Sequence, residues 1–123
     1  MAHTLTVCEG EYQEWSYQSP SSATIDKAIN GLIPAMFHFA ILEAVPPLDN
    51  CAYVQTLILD SGKAKGQYLV EARYKFPEGV RHYKTRIRDA DEVKRVFRKF
   101  AEGVAPNVAG WRDITEKMIA ATA

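Results

Sequence analysis

The run Gln67–Phe76 alternates without a break, with Tyr68, Val70, Ala72, Tyr74 and Phe76 on one side and Gln67, Leu69, Glu71, Arg73 and Lys75 on the other. A strict period of two fits a pleated strand, whose successive side chains point to opposite faces, and fits no helix. Pro77-Glu78-Gly79 supplies turn chemistry, and Arg81–Arg88 returns with Tyr83, Thr85 and Ile87 inward and His82, Lys84, Arg86 and Arg88 outward. The two strands make an antiparallel hairpin with an apolar inner face and a basic outer one. The inner face needs a cover, and the rest of the chain must supply it.

Two segments have helical period. Ser19-Pro20-Ser21-Ser22 is a helix start, Ile25, Ala28, Ile29 and Leu32 form the apolar stripe, and Gly31 and Pro34 close the helix. Asp89, with Glu92 three positions on, approximates a capping box for a second helix. Its stripe is Val93, Val96, Phe97 and Phe100, and Arg95, Arg98 and Lys99 fall toward its end, before Gly103, as the helix dipole favours. Residues 36–45 are apolar and aromatic without strict alternation and read as a largely buried strand, ended by the rigid turn Pro46-Pro47-Leu48-Asp49-Asn50. From Cys51 to Leu59, Tyr53, Gln55, Leu57 and Leu59 alternate with Ala52, Val54, Thr56 and Ile58. Residues 1–18 read as a strand pair or an extended arm, and Thr115–Ala121 as a short terminal helix. The expected fold is α+β: one domain, 1–123, with an antiparallel sheet of four to six strands and two main helices packed on one face.

Hydrophobic residues are 47% and charged residues 24% of the 123, a composition that builds one core and excludes a disordered or fibrous chain. The longest apolar stretch, Ile33–Val45, is broken by His38 and Glu43 and falls short of the ~20 residues that cross a bilayer, so no membrane contact is expected. The opening MAHTLTVCEGEYQEW has no basic start and no sustained apolar run, which points to a cytoplasmic chain with Cys8 and Cys51 as reduced thiols. Formal charge is zero but uneven: residues 1–62 hold Lys27 against seven acids, and residues 63–100 hold twelve bases against five acids. Such a split can leave faces of opposite sign that steer a charged partner.

No catalytic or cofactor signature stands out. His3, His38 and His82 occur in unrelated contexts, without an i,i+4 pair or a CxxC, so no metal is expected. There is no G-x-S-x-G, no phosphate-binding G-x-x-x-x-G-K-[ST] and no G-x-G-x-x-G, so no cofactor is expected. Glu71 is placed to pair across the hairpin with Lys84 or Arg86. His38 reads as a core or sheet-edge histidine and His82 as a solvent-face residue. The best candidate surface is the outer face of the hairpin, where Arg73, Lys75, Lys84, Arg86 and Arg88 alternate outward, with Tyr53 and Gln55 nearby if sheet order follows the chain. Such a face can meet nucleic-acid phosphates or an acidic protein surface. Base stacking wants outward aromatics, and most of the hairpin aromatics point to the core. Trp111, grouped with Trp15 and Tyr17, reads as a pin for the C-terminal segment or as an interface anchor.

Pro20 with Ile25, Ala28, Ile29 and Leu32, then Tyr53-Val54-Gln55, the run from Gln67 to Arg73, His82-Tyr83, Glu92-Val93, Phe97 through Phe100 and Trp111 form a scattered pattern over about residues 19–114. It resembles small immunity proteins carried beside bacterial polymorphic toxins. The resemblance implies a non-enzymatic cytoplasmic protein that binds its cognate protein toxin and blocks the active site or an essential surface. Tyr53, Gln55, Glu71 and Arg73 are the matching positions. Immunity proteins against nucleases are often acidic, whereas this chain is neutral with a basic middle, which leaves a toxin of another activity open. The interface candidates are Tyr53, Gln55, Glu71, Arg73, Lys75, His82, Lys84, Arg86, Arg88 and Trp111. The alternatives are a nucleic-acid-associated protein using the basic face, and a small enzyme drawing on Glu71, His82 and Asp113. Self-association through an unpaired sheet edge, giving a homo-oligomer, is a further reading.

Overall fold

The strand and helix signals resolve into one antiparallel sheet with two helices on the same side, in a computed structural model that describes residues 2–10, 13–35 and 37–117. The elements are β1 (Ala2–Glu9), β2 (Glu14–Gln18), α1 (Ser22–Asn30), β3 (His38–Leu48), β4 (Cys51–Ile58), β5 (Tyr68–Phe76), β6 (Gly79–Ile87), α2 (Ala90–Ala101) and β7 (Arg112–Asp113). Their order in the sheet is β2-β1-β3-β4-β5-β6-β7. The sheet therefore has seven strands where four to six were expected. The difference lies at the two ends of the chain. β1 pairs with β2 on one side and β3 on the other, so the N-terminal segment is an interior strand and not an arm. Arg112 and Asp113 add a two-residue strand to β6.

The predicted alternation decides which side chains are buried. Leu5 and Val7 of β1, Ala40, Leu42 and Ala44 of β3, Val54 of β4 and Val70, Ala72 and Tyr74 of β5 form one face of the core. Ile25, Ile29 and Leu32 from α1 and Val93, Phe97 and Phe100 from α2 close over it. Phe97 and Phe100 are fully buried, and each contributes about 1.5–3 kcal/mol by leaving water. α1 starts where Ser21 Oγ accepts from the Thr24 N–H at 3.2 Å, one residue after Pro20, and ends at Gly31. α2 starts where Asp89 Oδ1 accepts from the Asp91 N–H at 2.9 Å, and Gly103, at φ +101°, follows its C-cap Glu102. Arg98 and Asp26 link the two helices at 3.6 Å, a partly exposed pair worth about 0–1 kcal/mol.

β3 does not stop at the prolines. It runs on to Leu48, which pairs with Cys51, and the register slips between Glu43 and Leu48. Proline cannot donate to a ladder but is tolerated at a bulge, so Pro46 and Pro47 occupy the slipped stretch and only Asp49-Asn50 turn the chain. The predicted terminal helix begins at Thr115–Lys117, and its residues 118–121 lie outside those described. Among the described residues no helix is long and apolar enough to cross a membrane.

Candidate functional site

Both helices cover the face of Leu5, Leu42, Val54 and Val70, and among the described residues neither covers the opposite face. Strand register orders that open face into rows. One row runs Cys8, Phe39, Leu57, Leu69 and Arg86, and the next runs Thr6, Ile41, Gln55, Glu71 and Lys84. A further row runs Thr4, Glu43, Tyr53, Arg73 and His82. The first row is apolar from β1 to β5, and Ile41 widens it. Its members Cys8, Phe39, Leu57 and Leu69 are half-buried by their neighbours. An antiparallel face that meets only water carries polar residues at such positions, so this stretch is a patch, with Glu43 toward one margin and Lys84 and Arg86 toward another.

Beside the patch, β4, β5 and β6 bring Tyr53, Arg73 and His82 into line, and the pleat sets Glu71 diagonally opposite His82. Arg73 Nε–H donates to His82 Nδ1 at 3.3 Å, and His82 Nε2–H donates to Glu71 Oε1 at 3.2 Å. Because Nδ1 accepts, the ring proton sits on Nε2, and both nitrogens are engaged within the protein. The Arg73 guanidinium lies 5.8 Å from the Tyr53 ring centroid, within cation–π range, and the Tyr53 and His82 rings meet edge-on at 6.2 Å. Burial pushes the Tyr53 phenol up, against the pull of Arg73, so its O–H stays a donor near neutral pH. The backbone of His82 is fixed as well: its N–H donates to Thr115 Oγ1 and its C=O accepts from the Ile114 N–H, each at 2.9 Å. Asp113 accepts from both the hydroxyl and the N–H of Thr115, and those hydrogen bonds, the hydroxyl's first, hold its carboxyl below the usual range.

Two expectations are corrected here. His82 is on the outer face as predicted, but it is 1% exposed rather than solvated, because Tyr53, Arg73 and Glu71 crowd its ring and the segment after β7 runs along its backbone. Glu71 has Lys84 as its cross-strand partner, as predicted, yet its carboxylate turns to the diagonal neighbour His82. Arg73 is likewise drawn onto His82 and Tyr53, Lys75 lies exposed beyond that row, and Arg88 is exposed past the end of β6. The basic residues therefore do not form a continuous stripe. Gln55 is central, between Ile41 and Glu71. Trp111 packs against the core at the β7 edge, whereas Trp15 and Tyr17 stand exposed on β2 at the far edge, so the aromatic set is split by sheet order.

Sequence reasoning missed Phe39, Ile41, Leu57 and Leu69. The signal for Phe39 and Ile41 was the absence of alternation in residues 36–45, and that for Leu57 and Leu69 was a leucine in the otherwise polar set of an alternating strand. The other histidines lie on the helix side, His3 edge-on to Phe100 at 5.4 Å and His38 buried in β3. Among the described residues no group of three metal-ligating side chains converges. Comparison with protein-family models, with curated proteins and with solved structures gives no match to this chain.

Proposed function

We propose that this chain is a binding protein of the immunity type, which holds a cognate bacterial toxin in the cytoplasm through its open sheet face and thereby blocks it. The observation that carries the reading is the half-buried apolar row Cys8, Phe39, Leu57 and Leu69, set in register across four strands on the face the helices leave bare. Stable protein interfaces combine such an apolar centre with aromatic and arginine anchors and a charged rim. Tyr53 and Arg73 are anchors already held in place by His82 and Glu71, so little side-chain freedom is lost on binding. The same network favours binding over the small-enzyme reading. Neither nitrogen of His82 is open to a substrate, and Asp113 serves Thr115.

The test is co-expression with the product of each gene adjacent to its own, followed by sizing of the complex and a growth-rescue assay against that product. A one-to-one complex and rescue are expected. Leu57→Arg and Ile41→Arg, both half-buried on the open face, should weaken the complex tenfold or more, about 1.4 kcal/mol, with melting little changed. No complex with any neighbour, or a complex indifferent to both substitutions, would overturn the reading.

A further inference from the structure

At the end of the open face, where the β4–β5 connection curls beside β6 and β7, lies a pocket of about 520 Å³. Its lining includes Lys63 from the connection, Lys84 and Arg86 from β6 and Arg112 from β7, and among the described residues it contains no carboxylate. Register explains the convergence: Lys84 and Arg112 are cross-strand partners, Arg86 is two residues along the same face, and Leu69 lies opposite Arg86. Among the described residues the ion pairs between charged side chains are Lys94–Asp91 and Arg98–Asp26, so none of the four cations is neutralised by one. Of the nearby acids, Glu71 is engaged by His82 and Asp113 by Thr115, while Asp60, between Leu59 and Ser61, is exposed and lies outside the lining.

The pocket wall is preformed. The connection is closed by Leu59 N–H to Gln67 C=O and Gly66 N–H to Leu59 C=O, each at 2.9 Å, and Ala64 is buried. Gly62, at φ +82°, lets the chain turn there, and a side chain added at that position would meet only open space. A backbone donor faces the same way. The N–H and C=O of His82 point toward the β7 side, so strand periodicity turns those of Lys84 and Arg86 to that side too. The ladder to β7 ends at Lys84, which leaves the Arg86 N–H without a strand partner at the pocket edge.

We infer that this pocket binds a small molecule carrying two or more linked phosphates. Like charges gathered around one cavity repel one another, and an anion of high charge density relieves that repulsion best. A phosphate carries about −1.5 to −2 charges near neutral pH, so linked phosphates match four cations within one small volume, whereas carboxylates would have to converge from four side chains. The size is that of an ordinary small-molecule site, and Leu59, Ala64 and Leu69 offer an apolar wall to the organic part of the ligand. A nucleic-acid strand is a poorer fit, because Lys75 and Arg88 lie outside the lining, Arg73 is bound to His82, and Arg81 and Lys117, which continue from Arg112, are interleaved with Asp113 and Glu116.

The site shares Leu69, Lys84 and Arg86 with the open face but does not rest on the binding-protein reading, and it is tested without any protein partner. Titration calorimetry of the full chain with inorganic tripolyphosphate at low salt should give one-to-one binding. Arg86→Glu and Arg112→Glu should each weaken it at least tenfold, and both positions are exposed, so the variants should still fold. Arg88→Glu, outside the lining, should change it less than twofold, and Lys63→Glu is a second probe if Arg112→Glu disturbs β7. Absence of binding at millimolar tripolyphosphate overturns the proposal, as does equal weakening by Arg88→Glu. Binding of a hexaglutamate peptide or of a single-stranded oligonucleotide as tightly as tripolyphosphate also overturns it, and would assign the pocket to an acidic protein segment or to nucleic acid.

Discussion

The residue on which the open face turns is His82. A buried imidazole with both nitrogens hydrogen-bonded fixes two charged neighbours, and its removal leaves Arg73 and Glu71 facing each other's vacated partner in a half-buried setting. His82→Ala should therefore lower stability by about 2–4 kcal/mol, through cavity and unsatisfied groups together. Glu71→Gln keeps an oxygen to accept from Nε2–H and should cost less than about 1 kcal/mol. Urea denaturation of both variants separates the two cases, and equal losses would mean that charge rather than hydrogen bonding holds the ring. The cysteines differ on similar grounds. Burial pushes the Cys51 thiol up to about 12, while Cys8 is half-buried on the open face and is raised by burial and then by Glu14. The raised thiol stays protonated at pH 8 and is buried, so iodoacetamide should label Cys8 first and Cys51 only after unfolding. Mass spectrometry of native and denatured samples reads this directly.

Among the elements, α2 and the β5–β6 hairpin were legible because their signals are local. Asp89 caps α2 at the predicted residue, and the tyrosines at 68, 74 and 83 face the core side as their parity demands. Asp89→Ala should cost about 0.5–2 kcal/mol, and Phe97→Ala, which empties the centre of the helix–sheet core, about 3–5 kcal/mol, both measured by urea denaturation. β1 and β7 were harder. Whether Thr4 to Val7 forms an interior strand or an arm depends on β3 offering it an edge across a long sequence gap, and two residues at 112–113 carry no period at all. Sequence parity also set the outward side of His82 but not its burial, because the ring is crowded by residues from two neighbouring strands and its backbone is held by a segment more than thirty positions away. The candidate site was thus read as a list of outward residues. Its division into an apolar row, a hydrogen-bonded histidine and a basic pocket needed the register.

In the whole molecule the uneven charge of the chain becomes an uneven sheet. Acid-rich residues 1–62 build β1 to β4 with α1, and base-rich residues 63–100 build β5, β6 and α2, so the two signs are set toward opposite edges. Stability against pH is governed by a different set of groups. Burial raises Cys51 to about 12 and moves the phenols of Tyr53, Tyr68 and Tyr74 upward from 10.0. In the unfolded chain these groups ionise at their ordinary values, 9.0 for the thiol and 10.0 for the phenols, while the folded protein still holds their protons. Above pH 9 the unfolded state therefore binds fewer protons than the folded one, and stability falls as pH rises. For Cys51 the window runs from 9.0 to about 12, with a limiting slope of about 1.4 kcal/mol per pH unit. Asp113 has the opposite sign: its lowered carboxyl contributes stability above its ordinary value of 3.8 that is lost on acidification through the lowered one. Melting temperature should accordingly hold level from about pH 7 to 9 and decline beyond it. Cys51→Ala should start lower, because it leaves a void beside Tyr74, and should decline less steeply between pH 9 and 11. A decline as steep as that of the parent chain would place the alkaline sensitivity on Cys8 and the tyrosines.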